Sequence, residues 1–389
     1  MSHVCFVQKL AIACCLSVVT LPINALGQEQ AIIDSNQYDS LQAALDAVPR
    51  EGGIVRIAPG RYELTEPLRV KTGDTTLEGM GAATFLVNLN EGGLPCILIE
   101  NPEYVGKAVP SAERLWRVRV ANLRITGNPK SGSGILARYI EEIFIQGVTS
   151  SYNGGDGIEL YTCYEDPRIS DNLLTYNRRC GVSLVACHDI VVSANHFEEN
   201  QTGLKCTDSF NLAMSGNNLD DHLGDGIVVE NTYGSVIASN MIEECQGWAI
   251  VLDRDVYGTT VSANVIAHEF TGGIDLRDAH GCSVSANTFT IVKQIGVAVR
   301  PNSGAITICG NNFSDSWISS TSAGELPKRN RENSPQEVEP NAAAGVLLSG
   351  CTAVVLSGNL FSRLSTPAIV QQGECSEIVN EGSLVHGGP

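Results

Sequence analysis

The chain has 389 residues and a formal net charge of −18, and only 17% of its residues are charged, against about 25% in an average soluble protein. This acidic balance disfavours the sequence-independent binding of nucleic acid or anionic membranes, which relies on a basic surface. Sparse charge and 39 glycines also disfavour a helical bundle, because long surface helices need Lys, Glu and Arg.

The first segment is typical of a secretory signal peptide. Residues 1–27 contain one base, Lys9, followed by an apolar run from Leu10 to Leu21. The run is too short for a membrane-spanning helix, which needs about 20 residues. We therefore expect a secreted or periplasmic protein with a single domain over residues 28–389 and no membrane association after cleavage.

A short amphipathic helix is predicted next, over Ser40–Val48. It is entered through Asp39 or Ser40 and ends at Pro49, and strands at 54–57 and 62–64 follow. If the rest of the chain forms a solenoid, its first coil exposes a core and an unpaired strand edge. The helix is a candidate cap for that end.

An internal repeat runs through most of the remaining chain. The phrase apolar-x-x-Asn-x-apolar recurs, as in Val192–Phe197 and Val284–Phe289, and successive slots up to residue 311 lie 22 to 26 residues apart. The slots are Asn122, Val148, Asn172, Asn195, Asn217, Asn240, Asn264, Asn287, Asn311 and Asn359. A period of this length indicates a solenoid, and we predict that the Asn amides form a hydrogen-bonded ladder from coil to coil.

A second phrase places a strand in each repeat. Gly followed by alternating apolar residues, as in Gly157–Leu160 and Gly226–Val229, has the period of two that indicates a strand. No part of the repeat is long enough for the helix of a βαβ unit. The sequence therefore predicts an all-β fold, a parallel β-helix with coils of about 22–26 residues and a short N-terminal capping helix.

One coil is longer than the others. The step from Asn311 to Asn359 is 48 residues, yet it contains a single Gly phrase, at Gly345. We predict an insertion at residues 319–343, a polar loop containing Pro. Such a loop is either a mobile, solvent-exposed loop or a wall or lid over a binding groove.

Three segments resemble the opening of pectate-lyase-like right-handed β-helix proteins: Ser40–Pro49, Gly52–Tyr62 and Leu77–Gly81. The resemblance covers about residues 34–380 and implies a single-stranded right-handed parallel β-helix. Members of this superfamily include polysaccharide lyases, glycoside hydrolases, uronan epimerases, carbohydrate esterases and proteins with no known catalysis. The chain lacks the Asp-Asp and Gly-His-Gly pattern of polygalacturonases, and Asp166–Arg168 is a poor match to the Asp-Pro-His-Asp pattern of one mannuronan epimerase group.

The repeat also predicts which side chains share the outer face of one sheet. Residues two and four after each Gly should point outward and stack in columns. The fourth-position column contains Arg138, Tyr161, Val185, Thr207, Glu230, Asp253, Arg277, Arg300 and Ser349. The second-position column contains Glu159, Ser183, Lys205, Val228, Val251, Asp275 and Ala298, and the fifth position adds Asp208, Asn231, Arg254 and Asp278. Ionisable residues therefore concentrate on one face of a sparsely charged chain, and this face is the predicted site.

Two carboxylates on adjacent coils suggest the chemistry. Neighbouring coils lie about 4.8 Å apart, so Glu230 and Asp253 would be adjacent like charges, which raises the pKa of one of them. Such a pair suits a glycoside hydrolase. Alternatively the pair would bind Ca²⁺ and neutralise a uronate before β-elimination, with Lys205, Arg254 or Arg277 as the base.

Other residues of this face are predicted to bind substrate: Tyr161, Arg254, Asp275, Asp278 and Arg300. Arg277 and Arg300 are suited to clamp a carboxylate or sulfate. The competing interpretation is a ladder of mutually neutralising salt bridges, because ion-pair networks imitate active sites.

The histidines and two of the cysteines can also be placed in the repeat. Four histidines fall near predicted turns and are expected to be surface or turn residues: His188, His222, His268 and His280. Cys163 and Cys187 each lie six residues after their Gly, at a spacing compatible with a disulfide.

Taken together, these features predict a carbohydrate-active enzyme, a polysaccharide lyase acting on a uronic-acid-containing chain. A glycoside hydrolase and a non-catalytic carbohydrate-binding or surface scaffold are the alternatives. We expect a monomer whose partner is a polysaccharide and not nucleic acid, with Ca²⁺ as the one cofactor considered.

Overall fold

The structure is a computed structural model that describes residues 30–268, 271–290, 292, 294–314, 344–362, 364 and 366–387. Ala31–Pro389 form one compact unit. The predicted signal peptide, residues 1–27, and the predicted insertion, residues 319–343, lie outside the described residues. In the part of the chain that is described, no helix combines the length and apolar character needed to cross a membrane.

Regular structure in the described chain is almost entirely short parallel strand, in two large sheets. The twelve-stranded sheet consists of Leu68–Val70, Ile97–Ile99, Ile135–Arg138, Ile158–Tyr161, Cys180–Val185, Thr202–Thr207, Ile227–Glu230, Trp248–Asp253, Gly272–Leu276, Ile295–Val299, Ala344–Ser349 and Ile369–Gln372. The 27-stranded sheet consists of Ala31–Asp34, Gly53–Arg56, Gly60–Leu64, Thr75–Glu78, Thr84–Asn88, Arg119–Thr126, Phe144–Ser151, Arg168–Ser170, Leu173–Thr175, Val191–Ser193, His196–Glu198, Ala213–Ser215, Asn218–Asp220, Val236–Ala238, Met241–Glu243, Val256–Tyr257, Thr260–Ser262, Val265–Ala267, Ala279–His280, Ser283–Ser285, Thr288–Thr290, Gly304–Cys309, Asn312–Ser314, Thr352–Ser357, Leu360–Ser362, Ser376–Glu381 and Leu384–His386.

The remaining elements are few. Leu115–Trp116 and Ile140–Glu141 form a separate parallel pair. The α-helix is Leu41–Asp46, and the 3-10 turns are Ser35–Gln37, Gly81–Ala83, Pro102–Tyr104 and Ser111–Glu113. The prediction of an all-β solenoid is confirmed, and the described residues include a short helix near the N-terminus, where one was predicted.

Each strand of the twelve-stranded sheet pairs with the strand one coil later. Ile158 is opposite Val182, and Val182 is opposite Leu204. The residues one and three after each Gly point into the solenoid and are fully buried. The Gly at the start of the phrase is required by this close stacking: a Cβ on Gly203 would lie 2.6 Å from the carbonyl oxygen of the next coil. The Gly phrase therefore builds one wall of the core, as predicted.

The coils on either side of the long step also stack directly. Val297 is opposite Val346 in the twelve-stranded sheet. Asn311 Nδ2 donates a hydrogen bond to Asn359 Oδ1 at 3.0 Å, although 48 residues separate them. The repeat therefore resumes in register after residues 315–343.

The predicted Asn ladder lies in the core of the 27-stranded wall. From Asn172 to Asn311 every side-chain amide donates to the side-chain oxygen of the next Asn in the ladder, at 2.9 to 3.0 Å, and Asn359 is the last acceptor. Each Asn follows a residue with positive φ, such as Ala194 at 55°, which bends the chain between two short strands. The ladder satisfies the polar groups that this bend would otherwise bury unpaired. Asn122 is an exception, because it is exposed and donates to Glu78 instead.

A second ladder was not predicted. Asn153 donates to Asn177 and Asn177 to Asn200, both at 2.8 Å, and the backbone N–H of Asn200 donates to Nδ1 of His222 at 3.2 Å. His222 is therefore a fully buried member of the core, which corrects its assignment as a surface or turn residue.

The helix lies at the first strand of the twelve-stranded sheet. Ser40 is its N-cap, since its side chain accepts from the backbone N–H of Ala43. Ala44 and Leu45 are buried in the core. The amide of Gln42 bonds both backbone groups of Arg69, as donor to its carbonyl at 3.2 Å and as acceptor from its N–H at 2.8 Å. The helix thus pairs backbone groups that an edge strand would leave open.

The predicted disulfide is absent from the described residues. Cys163 and Cys187 lie on adjacent coils, as predicted, but both are buried free thiols, and the Sγ of Cys187 contacts the carbonyl oxygen of Leu160 at 3.5 Å. Burial, followed by the neighbouring thiol of Cys163, raises the pKa of Cys187 well above its usual value. These cysteines behave as small core residues.

Candidate functional site

The outer face of the twelve-stranded sheet has the predicted columns. Thr207, Glu230 and Asp253 are opposite one another on successive strands. In the neighbouring column Lys205 is opposite Val228, and Asp275 is opposite Val251. The structure therefore brings the predicted ionisable residues together on one face.

Glu230 is the centre of the first group of charges. Its carboxylate oxygens lie 3.1 Å from Lys205 Nζ and 2.9 Å from an Arg254 nitrogen, and its side chain is only 14% exposed. Arg254 also approaches Asp208 at 3.9 Å. The column alone suggests that Glu230 lies next to the like charge of Asp253. In the structure its carboxylate instead pairs with two bases, Lys205 and Arg254.

Asp253 is held by an arginine of the following coil, and Asp275 by one arginine of its own coil and one of the following coil. Asp253 lies 3.8 Å from Arg277, and its other oxygen accepts from the backbone N–H of Arg254 at 2.8 Å. Arg277 Nε donates to Asp275 at 2.8 Å, and Arg300 Nε donates to its second oxygen at 2.7 Å. The Asp275 side chain is 3% exposed. In this structure the two arginines predicted to clamp a substrate anion both bind Asp275.

The neighbours of Asp275 in its column are buried apolar residues, although the column as a whole was predicted to point outward. Val251 and Ala298, on either side of Asp275 in that column, are almost fully buried. They belong to a second apolar cluster with Trp248, over which the Arg300 guanidinium lies at 5.5 Å from the ring centre. Asp275 is therefore part of a buried polar contact and not an open ligand of the groove.

Asp278 and Tyr161 remain accessible. Asp278 accepts from the backbone N–H of Asp255 at 3.0 Å and lies 3.3 Å from His280. Tyr161 is 39% exposed and packs edge to face on Tyr139, with ring centres 5.6 Å apart. These two predicted substrate-binding residues lie at opposite ends of the charged face.

The candidate bases differ in their chemistry. A guanidinium stays protonated in proteins, whereas a Lys amine can lose its proton. Burial lowers the pKa of Arg277, but the hydrogen bond and charge of Asp275 outweigh it and hold that pKa above its usual value. Lys205 has one ion-pair partner, while Arg254 and Arg277 each have two. Among the three predicted bases, Lys205 is the one suited to accept a proton.

Among the described residues, the clusters of acidic and histidine side chains that could hold a metal ion do not include Glu230 or Asp253. They combine Glu243 and Glu244 with His268, and Asp220 and Asp221 with Glu244. His268 Nδ1 lies 3.1 Å from Glu243 and 3.7 Å from Glu244.

The acids of this cluster disfavour one another's ionisation. Burial, then the hydrogen bond and charge of Asp221, raises the pKa of Glu244 to about 7. Burial and neighbouring acids raise the pKa of Asp220 to about 6. The sequence signal for this cluster is a pair of acids at the end of a short strand in three successive repeats, beginning with Glu198-Glu199.

A pocket at the N-terminal part of the same outer face was also missed. It has a volume of about 300 Å³ and lies between the segment 100–109 and the sheet. Arg138, Glu159 and Tyr161 line it from the sheet, and Tyr104 and Lys107 from the opposite segment. Arg138 heads the fourth-position column, but the segment 100–109 has no repeat and so gave no signal of a wall.

Comparisons with known proteins identify the fold. Residues 110–266 match the family model of a right handed beta helix region. No curated protein matches the chain. The mannuronan C-5 epimerase A-module of Azotobacter vinelandii has a similar structure, with a TM-score of 0.67, 16% identity, and 91% of this chain and 99% of that chain covered.

Two further solved structures are similar. The catalytic unit of an alpha-1,3-glucanase from Streptomyces thermodiastaticus has a TM-score of 0.57 and 15% identity, covering 93% of this chain and 69% of that chain. A DFA-IIIase from Arthrobacter chlorophenolicus has a TM-score of 0.59 and 12% identity, covering 88% and 99%. With its parallel stacked coils, the chain has the right-handed parallel β-helix fold.

Proposed function

We propose that this protein is an exported carbohydrate-active β-helix enzyme that binds an acidic polysaccharide along the outer face of the twelve-stranded sheet and cleaves it by β-elimination. The observation that carries the proposal is that Lys205, the one of the three candidate bases that can lose its proton, is partly exposed on a face that also contains arginines. Its pairing with Glu230 favours the protonated amine, so the proposed reaction requires the substrate to displace Glu230 from Lys205. Export rests on the signal-peptide pattern of residues 1–27.

The comparisons support a carbohydrate substrate. The similar structures include a mannuronan C-5 epimerase module, an alpha-1,3-glucanase and a DFA-IIIase in complex with DFA-III. Their names describe different reactions on carbohydrates, so they favour the substrate class and leave the reaction to be argued from the side chains.

The bases on this face favour an acidic substrate. Guanidinium groups pair with carboxylates through parallel hydrogen bonds, and the chain as a whole is strongly acidic. An acidic polymer would be repelled by most of the surface, and on this face its carboxylates can pair with bases in place of their present acidic partners. The partly exposed Lys205 and Arg254 are the bases of the central group that a polymer can reach.

Lys205 is assigned as the proton-abstracting base. In its neutral form the amine would take the proton next to the uronate carboxylate, the leaving-group oxygen would depart with the electron pair of its bond to carbon, and a carbon–carbon double bond would form. The departing oxygen then takes a proton from water or a nearby acid. Arg254 is positioned to stabilise the negative charge that develops on the uronate.

The test is turnover of a substrate panel by the purified chain. Polymannuronate, polygalacturonate and a neutral α-1,3-glucan are incubated with the protein, and unsaturated products are followed by ultraviolet absorbance. We expect absorbance to rise with a uronan and not with the glucan. New reducing ends without absorbance would instead indicate hydrolysis by Glu230 and Asp253, and binding without either product would indicate a non-catalytic scaffold.

The residue assignment is tested by Lys205→Met with Lys71→Met as its matched control. Both lysines are about 40% exposed and both pair with one carboxylate, Lys71 with Asp46 at 2.9 Å. Loss of a proton-transferring group should lower kcat at least about 100-fold with a smaller change in KM. Lys71→Met should leave kcat unchanged. Equal kcat values for the two variants would contradict the assignment of Lys205.

A further inference from the structure

The pocket near Arg138 differs electrostatically from the rest of the charged face. The other bases of this sheet face each have a carboxylate partner: Arg69, Lys205, Arg254, Arg277 and Arg300. Arg138 is half-buried, and within the described residues its side chain has no hydrogen-bond or ion-pair partner. Lys107, on the opposite wall, is likewise unpaired in that part of the chain.

The two carboxylates that line the pocket, Glu100 and Glu159, already have polar partners. Glu100 is nearly buried and pairs with Arg69 at 3.3 Å, on the side of the first strand. Glu159 accepts a hydrogen bond from the hydroxyl of Ser133 at 2.7 Å. The pocket therefore offers two unpaired cations to a ligand, together with one anchored carboxylate that retains acceptor capacity.

The pocket also has suitable aromatic surface and size. Tyr161 is held by its edge contact with Tyr139, and the Arg114 guanidinium lies 5.8 Å from the centre of the Tyr139 ring. Such a ring offers an apolar face and a hydroxyl, which suit the carbon face and the hydroxyls of a sugar. A volume of about 300 Å³ is at the lower end of the range for ligand pockets and accommodates a single sugar residue.

We infer that this pocket is a subsite for one carboxylated sugar residue, whose carboxylate binds Arg138 and whose ring contacts Tyr161. The inference rests on the proposed function and adds the place where the acidic group is recognised. A half-buried guanidinium has fixed donors that match a carboxylate through two parallel hydrogen bonds. Tyr161 is three coils from Glu230, about 14 Å at 4.8 Å per coil, so the subsite would hold the chain at a distance from Lys205.

The test is equilibrium binding, because it does not depend on turnover. Wild-type protein and Arg138→Gln are titrated calorimetrically with acidic oligosaccharides from the uronan that binds, with the same oligosaccharides after reduction of their carboxyl groups, and with sulfated oligosaccharides. We expect Arg138→Gln to weaken binding of the acidic ligand at least tenfold and to leave the weaker binding of the reduced ligand unchanged. Arg138→Lys should recover part of the loss, since it keeps the charge without the planar fork.

Arg50→Gln is the matched control, because Arg50 is an exposed arginine outside the pocket, and it should bind like wild type. Thermal melting of each variant verifies that it is folded. An unchanged Kd for the acidic ligand in Arg138→Gln would overturn the subsite, as would a wild-type protein that binds no acidic oligosaccharide. Binding that depends on Arg138 but is confined to sulfated ligands would overturn the assignment to a carboxylate.

The experiments can overturn the proposed reaction and the proposed subsite independently of each other. Arg138-dependent binding of a uronan that is never cleaved would remove the lyase and leave the subsite in place. Cleavage whose kcat and KM are both unaffected by Arg138→Gln would remove the subsite and leave the proposed lyase reaction in place.

Discussion

Arg300 donates a hydrogen bond from Nε to the buried Asp275 carboxylate of the preceding coil at 2.7 Å. Arg277 approaches the other carboxylate oxygen of Asp275 at 2.8 Å, so this acid is held between two guanidinium groups. Because the Asp275 side chain is 3% exposed, little water competes for it. Arg300 therefore links its coil to the preceding coil through a carboxylate that is shielded from solvent, unlike the carboxylate of a surface salt bridge.

Asp275→Ala should therefore strongly destabilise the protein. Removal of Asp275 deletes two hydrogen bonds between charged groups, each worth about 1.5–3 kcal/mol, and the partly exposed Arg277 and Arg300 recover some hydration, so we expect a loss of about 3 kcal/mol. Urea unfolding monitored by circular dichroism measures the change in the free energy of unfolding. Glu63→Ala is the control, because Glu63 pairs with Arg61 at 3.2 Å but both side chains are more than half exposed. Its loss should cost no more than about 1 kcal/mol. Similar costs for the two variants would mean that Asp275 is not a buried structural anion.

The Asn ladder gives a second prediction. Asn264 bonds Ile237 and Asn287 through its Nδ2, and its Oδ1 accepts from the backbone and the side chain of Asn240, all at 3.0 Å. Asn264→Ala leaves several of these buried groups unpaired, at about 1–3 kcal/mol each, so we expect a loss of at least about 3 kcal/mol in denaturant unfolding. Asn122 occupies the same sequence slot but is exposed, and its positive φ of 55° should limit the cost of Asn122→Ala to the backbone strain of about 1–2 kcal/mol. Equal losses for the two variants would show that the ladder is not a source of stability.

The repeat made most of the fold predictable. A period of 22 to 26 residues brings every Gly phrase onto one wall, so the columns containing Glu230 and Asp253 followed from counting, and so did the direct stacking of Asn311 on Asn359. The second ladder was harder to find, because the slots at Asn153, Asn177 and Asn200 lack a flanking apolar phrase and the next member is a histidine.

The site was predictable as a set of positions and not as a set of contacts. Strand register determines which backbone residues are neighbours, but long side chains reach across columns, as Lys205 does to Glu230. The surroundings of Asp275 depend on side chains from several coils, the apolar Val251 and Ala298 beside it and the arginines Arg277 and Arg300 that bind it. The pocket near Arg138 needs a wall from the non-repeating segment 100–109, whose path no periodicity indicates.

The last prediction concerns acid sensitivity and His222. Burial, with a smaller effect of the charge on His196, lowers the pKa of His222 to about 4. The unfolded chain therefore takes up this proton at a higher pH than the folded chain. Stability contributed by the neutral ring is complete above the usual pKa near 6.5 and is lost as the pH falls towards 4, by roughly 3 kcal/mol in total.

His222→Asn should remove this loss, because an amide does not titrate and continues the ladder of Asn153, Asn177 and Asn200. The measurement is the melting temperature of wild type and variant at pH 7 and pH 4. We expect the drop between the two values to be smaller in His222→Asn than in wild type, whereas His280→Asn, at a partly exposed histidine, should resemble wild type. An equal drop in all three proteins would show that protonation of His222 does not drive acid unfolding, and the buried ring would then have to stay neutral or be hydrated in the core at pH 4.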